Sequence, residues 1–209
     1  MTTENTHLAK LALAENPSGE RNKLPILEVL KEYLNPDDQV LEIGSGGGMH
    51  AIYFTQNLPA VRWQMTEMPQ YMKALEARFI QQANSQMSPP VSLDCRVADW
   101  GLPRQYNAVF SANTTHIMSW QAVCGLMHGV QKALKPGGLF LLYGPFRYNG
   151  EDTAASNTAF HEYLKNESPE MGLRDFQEMA ALANLAGLQL IKDIPMPANN
   201  RILIFKHEQ

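Results

Sequence analysis

Apolar residues recur along this chain with two alternating rhythms. From Pro25, a residue well suited to a helix start, Ile26, Leu27, Leu30, Tyr33 and Leu34 repeat at helical spacing. Asn35-Pro-Asp-Asp38 stops that helix, and 39–43 is a short apolar run of strand length. The same alternation continues with helix 48–58, strand 61–66, helix 69–84 and a Ser/Pro-rich loop over 84–90. Strand 91–97, a loop at 99–103, strand 107–112 and helix 120–134 follow. Lys135-Pro-Gly-Gly138 reads as a turn, and 139–143 as an almost wholly apolar strand, as expected where helices cover both faces of a sheet. Two helical stretches, 156–167 and 174–186, precede strand 188–194. A proline-containing loop over 195–200 then leads to strand 202–205.

Strict strand–helix alternation from 39 to 143 implies right-handed crossovers and a doubly wound parallel sheet. The last two strands are joined by so short a loop that they must be antiparallel neighbours. The expected fold is therefore α/β, a mostly parallel seven-stranded sheet closed by a C-terminal antiparallel hairpin. A polar arm over 1–20 precedes a single domain over 21–209.

Composition narrows the function class. A chain of 209 residues with 44% hydrophobic and 18% charged residues is a folded globular protein. A net charge of −4 supplies no basic stripe for nucleic acid, so no nucleic-acid partner is expected. No apolar run is long enough to span a membrane, and the N-terminus lacks a signal-peptide pattern. Two distant cysteines, Cys95 and Cys124, fit a reducing cytoplasm and argue against a disulfide framework or a zinc site; no metal is expected. Oligomeric state is not legible in the pattern.

Candidate chemistry begins at Glu42-Ile-Gly-Ser-Gly-Gly-Gly48, where a strand breaks into glycines and restarts as a helix. Such a loop presents backbone N–H groups and a helix N-terminus to a small polar ligand. A dinucleotide fingerprint from Gly44 needs glycines at 46 and 49, and position 49 is Met. Gly44, Gly46 and Gly48 with Glu42 ahead of them point instead to a nucleoside ligand without a pyrophosphate. Met49 likewise weakens a nicotinamide-dependent oxidoreductase. Ligands of open α/β sheets bind beyond the carboxyl ends of the strands. That rule selects Glu67, placed to hold a ribose diol, and Asp99 with Trp100, Asp94 being a mid-strand rival. It also selects Asn113 and His116 after the fourth strand and Tyr143 to Arg147 after the fifth. Asn199 and Asn200 lie at the hairpin. Each has a plainer alternative, such as a helix-cap acid for Glu67 or a surface ion pair for Arg147.

The ordered set of Glu42–Gly48, Glu67, Asp99-Trp100 and Leu134-Lys-Pro-Gly-Gly-Leu139 resembles the motif series of class I S-adenosylmethionine-dependent methyltransferases. Further stretches are similar to a narrower methyltransferase-like family of bacteria and animals that includes methyltransferase-like protein 26. These are Ser18-Gly-Glu-Arg-Asn-Lys23, Asn113 to His116, Tyr143-Gly-Pro-Phe146, Gly172-Leu-Arg-Asp175 and Met196-Pro-Ala-Asn-Asn200. The resemblance implies S-adenosylmethionine as methyl donor, its methionine end by Gly44, Ser45, Gly46 and Gly48, with Glu42 behind them. It implies further donor contacts from Arg21, His50, Glu67 and Met68. Adenine contacts are expected from Asp99 and Trp100, with Asn113 nearby. His116 and Tyr143 are the expected catalytic residues, His116 as a base where the acceptor must lose a proton. Arg147, Asn199 and Asn200 are expected to touch a small polar acceptor. A non-catalytic protein that binds S-adenosylmethionine or S-adenosylhomocysteine is the alternative.

Overall fold

The computed structural model describes residues 17–208; most of the expected polar arm, residues 1–16, lies outside them. Two compact units meet in sequence between Asp94 and Cys95. The first contains helix α1 (Pro17–Tyr33), strand β1 (Gln39–Ile43), helix α2 (Met49–Asn57) and strand β2 (Arg62–Glu67). A short turn of 3-10 helix (Pro69–Tyr71), helix α3 (Met72–Gln82) and strand β3 (Met87–Ser92) complete it. β1 pairs parallel with β2, setting Val40 opposite Trp63 and Ile43 opposite Thr66, and β2 pairs parallel with β3.

Two boundaries differ from the sequence expectation. Helix α1 starts at Pro17, so Pro25 lies inside it. An interior proline costs roughly 3 kcal/mol. The buried face formed by Ile26, Leu27, Val29 and Leu30 offsets this, at about 1.5–3 kcal/mol per side chain. Strand β3 lies earlier than 91–97 and includes Pro89 and Pro90. Proline is tolerated there because β3 is an edge strand with an irregular register beside the prolines, where a missing ladder N–H costs least. Gln64 Nε2 donates to the Pro89 carbonyl at 2.6 Å, and the register shifts between Gln64 and Thr66. Asp94 consequently stands just beyond a strand end, not in mid-strand.

The second unit contains strand β4 (Tyr106–Ala112), helix α4 (Trp120–Ala133), strand β5 (Leu134–Gly144) and the short strands β6 (Phe146–Tyr148) and β7 (Glu151–Asp152). Helix α5 (Ala155–Glu167), strand β8 (Arg174–Asp175), helix α6 (Phe176–Leu185) and the hairpin of β9 (Leu188–Met196) and β10 (Asn200–His207) follow. β4 and β5 are parallel, whereas β10 runs antiparallel to both β5 and β9. Leu134 pairs opposite Tyr106 and Leu139 opposite Ala108, so 135–138 loop out of the ladder. The expected turn is thus a bulge inside a longer strand, with Gly137 at φ 76°.

The strands form one seven-stranded sheet in the order β3-β2-β1-β4-β5-β10-β9, flanked by helices. A second sheet, β7-β6-β8, was not legible in the sequence, because strands of two or three residues carry no period. Among the described residues no helix is long and apolar enough to cross a membrane.

Chain 95–105 runs down α4. A Cβ on Gly125 would lie 2.0 Å from the Cys95 carbonyl oxygen, and one on Gly129 would lie 2.0 Å from the Trp100 ring. Lys132 Nζ donates to the Ala98 carbonyl at 3.5 Å. Helix α4 ends where β5 begins, opposite Tyr106 at the amino end of β4. Asp99 and Trp100 therefore lie toward the amino end of β4, contrary to the expectation that they border the carboxyl ends.

Candidate functional site

In the first unit the glycine loop is held from behind. Glu42, 2% exposed, accepts hydrogen bonds from Ser45 Oγ at 2.8 Å and Trp63 Nε1 at 3.1 Å. Burial raises its pKa to about 7; the two hydrogen bonds oppose that rise, and the Glu67 charge adds to it. Ser45 N–H donates to the Thr66 carbonyl at 2.9 Å, and Thr66 Oγ1 donates to the Glu42 carbonyl at 2.7 Å. These bonds stitch the loop to the end of β2. Gly44, Gly46 and Gly48 all have positive φ, at 71°, 55° and 75°, a backbone geometry that side chains resist.

Glu67 closes the cradle. Its Oε2 accepts the Gly46 N–H at 2.7 Å and its Oε1 accepts the Met68 N–H at 2.8 Å. A carboxylate has about four acceptor sites, so both oxygens retain capacity for further donors. A Cβ on Gly46 would meet nothing within 4 Å, whereas one on Gly48 would meet Leu75 at 3.0 Å and Met65 at 3.2 Å. The loop is thus packed at Gly48 and open at Gly46.

His50, in the first turn of α2, shares a 2.8 Å hydrogen bond with Asn22 Oδ1 and stacks on Phe54. Burial takes its pKa down to about 4, leaving a neutral ring. Asn22, itself buried, was missed in the sequence because nothing in a helical polar position announces a partner 28 residues away. Arg21 is exposed on α1, not on a segment ahead of the helix, and donates to Ser18 Oγ at 3.3 Å.

In the second unit the segment after β4 carries Asn113, at φ 58°, whose N–H donates to the Tyr143 carbonyl at 2.9 Å. Ser111 and Thr114 share a 2.6 Å hydroxyl bond. His116 is 5% exposed and meets Phe160 edge-on at 5.2 Å. Burial, and then the Arg174 charge, lower its pKa to about 4. Tyr143 is buried in β5.

Arg174 was not selected from the sequence, although it sits in the quoted Gly172–Asp175 stretch; a lone arginine carries no spacing signal. It is buried and donates through Nε to the Thr115 carbonyl at 2.9 Å, and through Nη2 to the carbonyls of Met118 and Glu170. Arg147 is engaged within its own hairpin, 3.0 Å from the Asp152 carboxylate and bonded to the Gly150 carbonyl. Asn199 and Asn200 shape the β9–β10 turn. Asn199 Nδ2 donates to Ser156 Oγ at 3.2 Å, and Asn200 Nδ2 donates to the Pro197 and Ala198 carbonyls at 3.1 Å each. Asp99 accepts the Gly101 N–H at 2.9 Å as a local turn bond.

This sheet order and C-terminal hairpin are the class I methyltransferase fold. Human N-acetylserotonin methyltransferase, solved in complex with S-adenosylmethionine, matches at a TM-score of 0.81 and 14% identity over 98% of this chain. An O-methyltransferase family protein from Burkholderia thailandensis matches at 0.79 and 16% over 99%. PigF with S-adenosylhomocysteine matches at 0.74 and 15% over 90%. The chain spans 57%, 62% and 56% of these neighbours' lengths, respectively. The chain belongs to the DUF938 family, proteins of unknown function, whose model matches residues 14–207.

Proposed function

We propose that this chain binds S-adenosylmethionine and transfers its methyl group to a small polar acceptor. The observation that carries the reading is the cradle in which Gly46 N–H meets Glu67 while Gly46 faces open space. Bare backbone at Gly46 lets a ligand come close to the loop, and Glu67, which keeps acceptor capacity on both oxygens, suits a ribose diol. The bound donor supplies a methyl group activated by a sulfonium. The chain's own residues hold, orient and exclude water, an alignment effect that can dominate such a displacement. Glu42, Ser45 and Trp63 position the loop. Asp94, just past β3, replaces Asp99 as the proposed partner of the adenine, and Trp100 leaves that role with it. His116, neutral at pH 7, serves as base where the acceptor must lose a proton. The motif resemblance to the family that includes methyltransferase-like protein 26 supports the same reading.

Calorimetric titration with S-adenosylhomocysteine tests it. Saturable binding is expected, and an absence of binding at millimolar ligand overturns it. Incubation with methyl-labelled donor and a small-molecule extract then separates transfer from the binding-only alternative: label is expected in the small-molecule fraction.

A further inference from the structure

Arg174 is a buried cation without a carboxylate of its own. It is 9% exposed, and among the described residues no acid pairs with it in an ion bridge. The Glu170 and Glu178 carboxylates favour its charge only from a distance. Three of its five guanidinium N–H groups can be assigned to the carbonyls of Thr115, Met118 and Glu170, which leaves the Nη1 pair. Carbonyls and an aromatic face hold this buried charge, and no carboxylate touches it, so a direct counter-ion would compensate it further.

The surroundings suit a ligand. Arg174 enters through β8, which pairs with β6 at Phe146, two residues beyond the carboxyl end of β5. The carbonyls it holds flank His116, and a Cβ on Gly144 would stand 3.9 Å from His116 Nδ1. Its guanidinium lies 5.9 Å from the Trp120 ring, which is 40% exposed. Ile117 beside His116 is exposed as well.

We propose that Arg174 binds an anionic group, carboxylate or phosphate, on an apolar-bodied acceptor, and so sets acceptor specificity beside His116. This rests on the methyltransferase reading for the word acceptor. The anion site itself does not depend on it. An anion there would also offset the Arg174 charge that lowers the His116 pKa, making the ring a stronger base when the right acceptor is present.

The test is an NMR titration of the intact chain with benzoate, phenyl phosphate and the neutral benzamide. The His116 ring and Trp120 indole signals are followed, assigned through H116N and W120F. Benzoate or phenyl phosphate should move both signals saturably, the tighter of the two naming the anion, while benzamide does not. R174Q should weaken the response by at least about tenfold, in line with loss of a charge-assisted bond. R174K, which keeps the charge, should retain part of it. Wild-type signals unmoved by either anion up to about 10 mM overturn the proposal. So does an equal response to benzamide, a comparison that needs no variant to fold. S-adenosylhomocysteine binding in a protein blind to these anions would leave the methyltransferase reading standing and remove this one.

Discussion

Gly46 donates its backbone N–H to the Glu67 carboxylate at 2.7 Å across 21 residues of sequence. The bond joins the loop after β1 to the last residue of β2, and Glu67 turns its other oxygen to the Met68 N–H. An acid at a strand end thereby becomes part of a loop whose glycine presents only backbone outward.

Removing Glu67 should separate binding from folding. Glu67→Ala is expected to weaken S-adenosylhomocysteine by about tenfold or more, the loss of charge-assisted hydrogen bonds. Calorimetry with wild type and variant checks this, and an unchanged affinity would remove Glu67 from the site. The two glycines should behave differently. Gly46→Ala is expected to cost about 1 kcal/mol of stability from its positive φ alone. Gly48→Ala should cost about 2 kcal/mol or more, because its methyl also meets Leu75 and Met65.

The two aspartates ahead of β4 give a contrast. Asp99 sits in a turn alongside the last half of α4, whereas Asp94 follows the end of β3. Asp94→Asn should weaken S-adenosylhomocysteine, and Asp99→Asn should leave its affinity within about twofold, as for a change at an exposed turn residue. The reverse ranking would restore Asp99 to the adenine.

The buried acid and the buried histidine act on stability with opposite signs. The Glu42 pKa is raised from 4.5 to about 7. Its stabilising share is full below pH 4.5 and is lost as pH rises to 7, at about 1.4 kcal/mol per unit and roughly 3 kcal/mol in all. His116, lowered from 6.5 to about 4, contributes stability present above pH 6.5 and lost as pH falls toward 4. Urea unfolding from pH 4 to 8 should therefore show a flatter rise of stability with pH in His116→Asn, because acid no longer charges that site. In Glu42→Gln the decline between pH 4.5 and 7 should disappear. Profiles parallel to wild type in both variants would contradict these assignments.

Chain 95–105 crosses helix α4 so closely that a Cβ at Gly125 or Gly129 would have no room without a shift. Gly129→Ala would place a methyl 2.0 Å from the Trp100 ring. Overpacking of this kind costs typically 1–3 kcal/mol, with the ring displaced. A lowered Tm with changed indole fluorescence is expected, and an unaltered Tm would show that the ring moves freely.

Legibility followed the physics of each signal. The run 39–43 was readable as a strand because a parallel strand buried on both faces is a continuous apolar run, and Leu41 and Ile43 are both buried. Pro25 and the Pro89-Pro90 pair misled, because proline reports only local φ and a missing N–H. Whether that matters depends on the packed face of α1 and the edge position of β3. The placement of Asp99 was hidden for a related reason: spacing counts residues, and does not report that the chain turns down α4 after Cys95.

Alternation of apolar runs and glycine breaks was enough to determine the α/β class, the order of its main strands and helices, the antiparallel hairpin and the loop at Gly44–Gly48. These are local or periodic properties, carried by neighbouring residues. Tertiary structure alone decided which polar groups meet. Asn22 with His50, Gly46 with Glu67 and Arg174 with the carbonyls around His116 are separated by 21 to 59 residues. No pattern within a window specifies such a partner. The partner is set by register and packing once a sheet and its helices have formed, and burial then sets the charge state of Glu42 and His116.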